Sequence, residues 1–271
     1  MRIFAIKDET MPEEKILGYL IYYETPKVFY IELPDGADPW ETPPVLAASA
    51  GRGDYTIGSS LSRVFVRQRI VPQDRQNISR ILRDNGLKSY DEFSLLMLAM
   101  GRCEQDDCYL EEIPIDKIPE FLLRRWTTKV EEVIPLDLPR VMAFFANGST
   151  KIINLRKMAL PALEPYLSDQ DRFNRVEVQP GGYGIFWNEQ ASILHRDLYR
   201  QGASIPIALK DIHQFVRHRM VSASEACVIL DCSRQNIDDL MRRDKLHPLR
   251  TDAKYKLFSK AEVMQRRKDT L

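Results

Sequence analysis

Between Ser222 and Ile237 the chain specifies two short helices and the tight turn between them, and no other stretch fixes its own geometry so narrowly. Ser222 and Glu225 stand three apart just before an apolar run, the spacing of a capping box. The serine hydroxyl accepts from the backbone N–H of Glu225, and the glutamate carboxylate accepts from the N–H of Ser222. Ala226, Ile229 and Leu230 then share one helical face. Asp231-Cys232-Ser233 makes the turn, with Ser233 placed to cap a second helix. Ile237, Leu240 and Met241 face inward along that helix and leave Arg234, Gln235, Asp238, Arg242 and Arg243 outside. After Leu246-His247-Pro248, the stretch Leu249 to Phe258 reads as a two-stranded wing with Thr251-Asp252-Ala253 near its tip and Lys254 and Lys256 on one face. Ser259 to Glu262 repeats the capping-box spacing and opens a closing helix.

Two short helices joined by a tight turn, the second with polar side chains at its start, suit a DNA major groove. Arg and Gln each reach base edges with paired hydrogen bonds. The segment from Met220 to Lys268 resembles the excisionase-like and MerR-like winged helix-turn-helix modules. The residues that carry the likeness are Ser224-Glu225-Ala226, Cys232-Ser233-Arg234-Gln235-Asn236-Ile237, Leu246-His247-Pro248 and Leu257-Phe258-Ser259-Lys260-Ala261-Glu262-Val263. The resemblance implies that Ser233, Arg234, Gln235 and Asn236 open a recognition helix. Arg242, Arg243, Lys254, Tyr255 and Lys256 are the expected backbone contacts. Asp238 and Asp239 depart from the pattern, since they repel phosphates; pairing with Arg242 and Arg243 across one helical turn relieves this.

Formal net charge is zero, but it is unevenly placed. From Ala203 to the C-terminus there are 14 Lys+Arg against 9 Asp+Glu, which leaves 25 basic and 30 acidic residues in the rest. A basic tail on an acidic body fits phosphate binding confined to the tail. One copy with so modest an excess binds weakly, so a homodimer is expected. The start Met1-Arg2-Ile3-Phe4-Ala5-Ile6 lacks the apolar core of a signal peptide, and no run approaches a membrane span. Four cysteines in two pairs, Cys103/Cys108 and Cys227/Cys232, read as reduced and cytoplasmic. Their spacing is wider than structural zinc usually shows. No metal or other cofactor is expected.

Upstream, Arg2 to Ile6, Ile16 to Tyr23 and Val28 to Leu33 read as strands, the last two joined by Glu24-Thr25-Pro26-Lys27. Helical spacing follows over Val45 to Ala50 and Ile57 to Val66. Asn77 to Asp84 ends at Asn85-Gly86, and Asp91 to Met100 ends at Gly101. From Lys129 strands return: Val130 to Leu136, Arg140 to Phe145 and Lys151 to Leu155, with Asn147-Gly148 as a hairpin turn. Val176 to Gln179 and Tyr183 to Trp187 flank Gly181-Gly182 as a second hairpin.

The stretch from Glu131 to about Gly202 resembles a small bacterial domain family of unassigned function. The likeness rests on Val133-Ile134-Pro135-Leu136, Phe145-Ala146-Asn147-Gly148, Ile153-Asn154-Leu155, Phe173-Asn174-Arg175-Val176, Gly181-Gly182, Ile185-Phe186-Trp187 and Asp197-Leu198-Tyr199. Members occur alone or joined to helix-turn-helix modules, often in operons resembling toxin–antitoxin systems. A connecting helix with Leu209, Ile212, Phe215 and Val216 on one stripe leads into the tail.

Other motifs carry less. His195-Arg196-Asp197-Leu198 copies a kinase catalytic loop, yet Gly202 stands where that loop needs Asn. Arg52-Gly53-Asp54 copies an adhesion tripeptide but reads as a loop between helices. Glu104, Asp106, Asp107, Glu111 and Glu112 form an acidic cluster that reads as a solvated face. Arg75-Gln76-Asn77-Ile78 recurs as Arg234-Gln235-Asn236-Ile237 by coincidence. No histidine stands beside a plausible nucleophile, so no enzyme is expected.

The sequence therefore predicts a multi-domain α+β protein. A small sheet with helices spans 1–126, a small, mainly antiparallel β-rich domain spans 127–204, and a connecting helix with the winged module spans 205–271. Its expected role is a bacterial transcriptional regulator that binds double-stranded DNA, with the acidic N-terminal region available to a partner protein. The rival is an adaptor or antitoxin-like protein whose helix-turn-helix docks a protein.

Overall fold

Strands Arg2–Asp8 (β1), Gly18–Tyr23 (β2) and Val28–Glu32 (β3) are apolar on both faces, which only a sheet covered on both sides can accommodate. In the computed structural model, which describes residues 1–250, 256–259 and 263, they form the centre of an antiparallel sheet. Thr56–Ile57 (β4) and Cys108–Ile113 (β5) complete it in the order β4-β3-β2-β1-β5. Alternation sorts the side chains. Phe4, Ile6, Leu20, Tyr22, Phe29 and Ile31 point to one face, and Ile3, Ala5, Tyr19, Ile21 and Tyr30 to the other.

Helices Pro44–Gly51 (α1), Ser59–Arg67 (α2), Ile78–Asp84 (α3) and Glu92–Leu98 (α4) follow β3 in sequence. The first face is covered by Leu46, Phe65, Val66, Leu95 and Leu96, from α1, α2 and α4. Pro44 opens α1 at the position where a missing N–H does no harm. The Asp91 carboxylate caps α4 by accepting from the Ser94 N–H. Glu120–Trp126 (α5) lays Leu122 on the second face, beside Tyr183.

Beyond α5, Val130–Pro135 (β6), Arg140–Phe145 (β7) and Thr150–Asn154 (β8) make an antiparallel meander. Short helices Glu164–Leu167 (α6) and Gln170–Phe173 (α7) precede a small sheet of Glu177–Val178 (β9), Gly184–Phe186 (β10) and Ser192–Leu194 (β11). His195–Gln201 (α8) leads to Ala203–Ile205 (β12), which pairs with β8. Both expected hairpins form, at Asn147-Gly148 and at Gly181-Gly182. At Gly184 a Cβ would lie 1.9 Å from the Ile193 carbonyl oxygen, so only glycine lets these strands close. Val141, Phe145, Ile153, Phe173, Ile185 and Leu198 fill the core here.

All of this belongs to one compact unit, Met1–Ile205, which contains both stretches that the sequence reading separates at 126/127. The second unit, Pro206–Leu271, holds Leu209–Arg219 (α9), Met220–Ser222 (β13), Ala223–Leu230 (α10), Arg234–Arg242 (α11) and Leu257–Ser259 (β14). Its core gathers Val221, Ala226, Ile237, Leu246, Phe258 and Val263. β14 pairs with β13, upstream of both helices. Pairing opposite Val221 places the Phe258 ring inside the small core. At the ends of the expected wing, the Leu249 N–H donates to the Leu257 carbonyl at 2.8 Å. The wing tip Thr251-Asp252-Ala253, Lys254 and Tyr255 lie outside the described residues, as does 260–262 of the closing helix.

The protein is thus of the α+β class, built from several small antiparallel sheets and helices. No described helix is long and apolar enough to cross a membrane. Among the described residues no group of three or more His, Cys, Asp or Glu could hold a metal ion.

Candidate functional site

The capping box at the start of α10 forms. Ser222 Oγ accepts from the Glu225 N–H at 3.3 Å, and the Ser222 N–H donates to Glu225 Oε2 at 2.8 Å. Asp231 then takes the left-handed conformation, φ 50°, which stops α10 and turns the chain. Ser233 Oγ accepts from the Asn236 N–H at 3.3 Å and starts α11. Ile237 is buried below, with Leu240 and Met241 packed on the same core.

This places Ser233, Arg234, Gln235 and Asn236 on the first turn of α11, all exposed. Arg242 and Arg243, also exposed, stand at the other end of the helix, roughly 12 Å along its axis at 1.5 Å per residue. Asp239 pairs with Arg242 at 2.5 Å, as the sequence suggests. Asp238 does not take Arg243; it meets Lys256 at 3.1 Å. Both acids are therefore neutralised locally, and Lys256 is tied to α11 rather than standing alone. Among the described residues, Arg234, Gln235 and Arg243 hold no ion pair or side-chain hydrogen bond. Lys254 and Tyr255 lie outside the described residues.

The sequence reading missed a second polar constellation, in the unit Met1–Ile205. Glu32, at the end of β3, is wholly buried. It accepts from Thr56 Oγ1 at 2.8 Å and pairs with Arg125 of α5 at 2.9 Å. Burial pushes its carboxyl above the usual range, against the pull of Thr56 and Arg125. Lys129 lies just beyond α5, its Nζ 3.9 Å from the Trp126 ring centre and 4.1 Å from that of Tyr183. It donates to the Tyr23 hydroxyl at 3.2 Å. Removal from water pulls Lys129 down to about 7. Tyr183 stacks on Tyr30 at 3.8 Å. His195 Nδ1 lies 2.9 Å from Thr128 Oγ1, and burial, with the charge of Lys129, takes His195 down to about 4.

One signal in the sequence pointed here: Glu32 is a lone acid at the end of an apolar strand, and buried charges demand partners. Those partners come from 125–129 and 183, separations that no local pattern reveals. The cluster joins the first sheet to the later hairpin. A Cβ on Gly181 would strike the Tyr23 ring at 2.1 Å.

Three other motifs resolve as structure. Arg196 and Arg52 both bind Asp54, at 2.5 and 3.1 Å, so the kinase-like and adhesion-like motifs meet in one ion-pair cluster. Burial raises the Asp54 carboxyl, but the two guanidiniums outweigh it and hold the group below its ordinary value. Within the acidic cluster, Asp106 pairs with Arg69, Glu111 with Lys7 and Glu112 with Arg2. The repeated tetrapeptide sits in two registers: Arg234 begins α11, whereas Arg75-Gln76-Asn77 precedes α3. No family model matches the chain, and neither a curated protein nor a solved structure matches it.

Proposed function

We propose that the protein binds double-stranded DNA through the unit Pro206–Leu271 and acts as a transcriptional regulator of its own or a neighbouring operon. The observation that carries this reading is the capped first turn of α11. It presents Arg234 and Gln235 exposed, with their donors and acceptors uncommitted among the described residues. Guanidinium and amide groups at such a position match guanine and adenine edges. The resemblance of Met220 to Lys268 to excisionase-like and MerR-like modules adds support, as does the basic excess of the tail. Two copies on two half-sites supply the contact area that one small module lacks. The regulator is read as cytoplasmic, and the acidic N-terminal region is the part that would meet a partner protein.

A second reading has its own observation. Val228 on α10 is 81% exposed, a side chain that a docked protein would cover. Fluorescence anisotropy of the full chain against a duplex from its own upstream region and a scrambled duplex separates the two. On the DNA reading, affinity falls with salt by about 0.9 log units per log unit for each phosphate neutralised. R234A loses the preference for the upstream duplex, and D238N/D239N binds both duplexes more tightly because it removes two charges and releases Lys256 and Arg242. A flat salt titration with no effect of R234A favours the docking reading.

A further inference from the structure

We propose that the cleft between α2, the start of α4 and the segment 179–189 binds a small anionic ligand built on a planar ring. The cleft, open to solvent on one side, offers about 680 Å3, within the range of small-molecule sites. Half-buried aromatic rings of Tyr90, Phe93 and Phe186 line it, which favours a flat, apolar ligand body.

The anionic part follows from α2. Arg63 and Arg67 stand one turn apart on the cleft and both donate through Nε to a single carboxylate, Glu92, at 2.8 and 2.9 Å. Two positive charges face one negative charge. Among the described residues the terminal nitrogens of both guanidiniums have no partner, so two forks remain open to a carboxylate or phosphate. Lys27, on the same cleft, is already matched by Asp91 at 2.6 Å. Glu189 opposes the anion. It lines the cleft and holds no ion pair among the described residues.

The inference goes beyond the duplex reading and stands without it. Calorimetric titration of the full chain with nucleoside monophosphates, with aromatic carboxylic acids and with inorganic phosphate tests it. Saturable binding by a member of either ring-bearing panel supports the site and tells phosphate from carboxylate as the recognised group. R63Q and R67Q each weaken that binding by about tenfold, the loss of a charge-assisted bond. E189Q strengthens it; a merely structural role for these residues does not give opposite signs. Each arginine variant leaves Glu92 one guanidinium. E189Q alters an exposed side chain outside any described ion pair, so it carries the test even if the others unfold. Absence of binding by both panels at millimolar concentration overturns the proposal. So does inorganic phosphate binding as tightly as any ring-bearing ligand, or a null effect of all three substitutions.

Discussion

Lys129 shows how one residue holds opposed influences on its proton. Burial pulls the ammonium down to about 7 while Glu32 pulls it up. The faces of Trp126 and Tyr183 also favour the charged form. With the folded value below the ordinary 10.5, the unfolded chain binds the extra proton between about pH 7 and that value. Stability then rises with pH across this window and levels off above it. Lys129→Met keeps the length of the side chain and removes the titration. Urea midpoints at pH 7 and about pH 9.5 check this: the wild type gains on K129M as pH increases. Equal pH dependence in the two proteins defeats the assignment.

At the scale of elements, Arg125 is the clamp between β3 and α5. It binds Glu32 at 2.9 Å, the Leu33 carbonyl at 2.7 Å and Asp35 at 2.5 Å. Arg125→Met leaves a buried carboxylate without its cation, a loss of about 3–5 kcal/mol by the general behaviour of broken buried pairs. E32Q/R125M removes both charges and retains the Thr56 bond, so denaturant unfolding shows the double variant more stable than R125M alone. The opposite order means that the ion pair is not what joins these elements. Such clamps explain which elements were legible in the sequence. β1, β2 and β3, the meander β6 to β8 and the helices that stop at Gly86 and Gly101 obey local rules of period and punctuation. Their expected and observed positions nearly coincide. In the tail, the caps at Ser222 and Ser233 and the inward Ile237 were equally readable. What local pattern could not supply was pairing at a distance. β5 lies within an acidic stretch and is held by Lys7 and Arg2 of β1. β14 pairs with β13 because the small core needs Phe258. The Lys129 cluster draws on residues from 23 to 195, and the cleft on residues from 22 to 189.

For the whole molecule, two units of unequal size imply two unequal stabilities. Met1–Ile205 contains three clusters of buried apolar side chains, and its central strands are covered on both faces. Among the described residues, Pro206–Leu271 rests on one small cluster around Ile237 and Phe258. The buried fraction of a chain rises with its size, so the smaller unit has less to hold it. Hydrogen exchange read by mass spectrometry along a urea series is therefore expected to show two steps. Peptides from α10 and α11 lose protection first, while β1, β2 and β3 remain protected to the last transition. The two binding readings attach to different steps. A ligand that binds only the folded form stabilises the unit it touches by about 2.7 kcal/mol at a hundred times its dissociation constant. Duplex DNA should delay the early step and leave the late one in place, whereas a ring-bearing anion in the cleft should do the reverse. A duplex that moves only the late step contradicts the assignment of DNA to α11, and it does so without touching the case for the cleft.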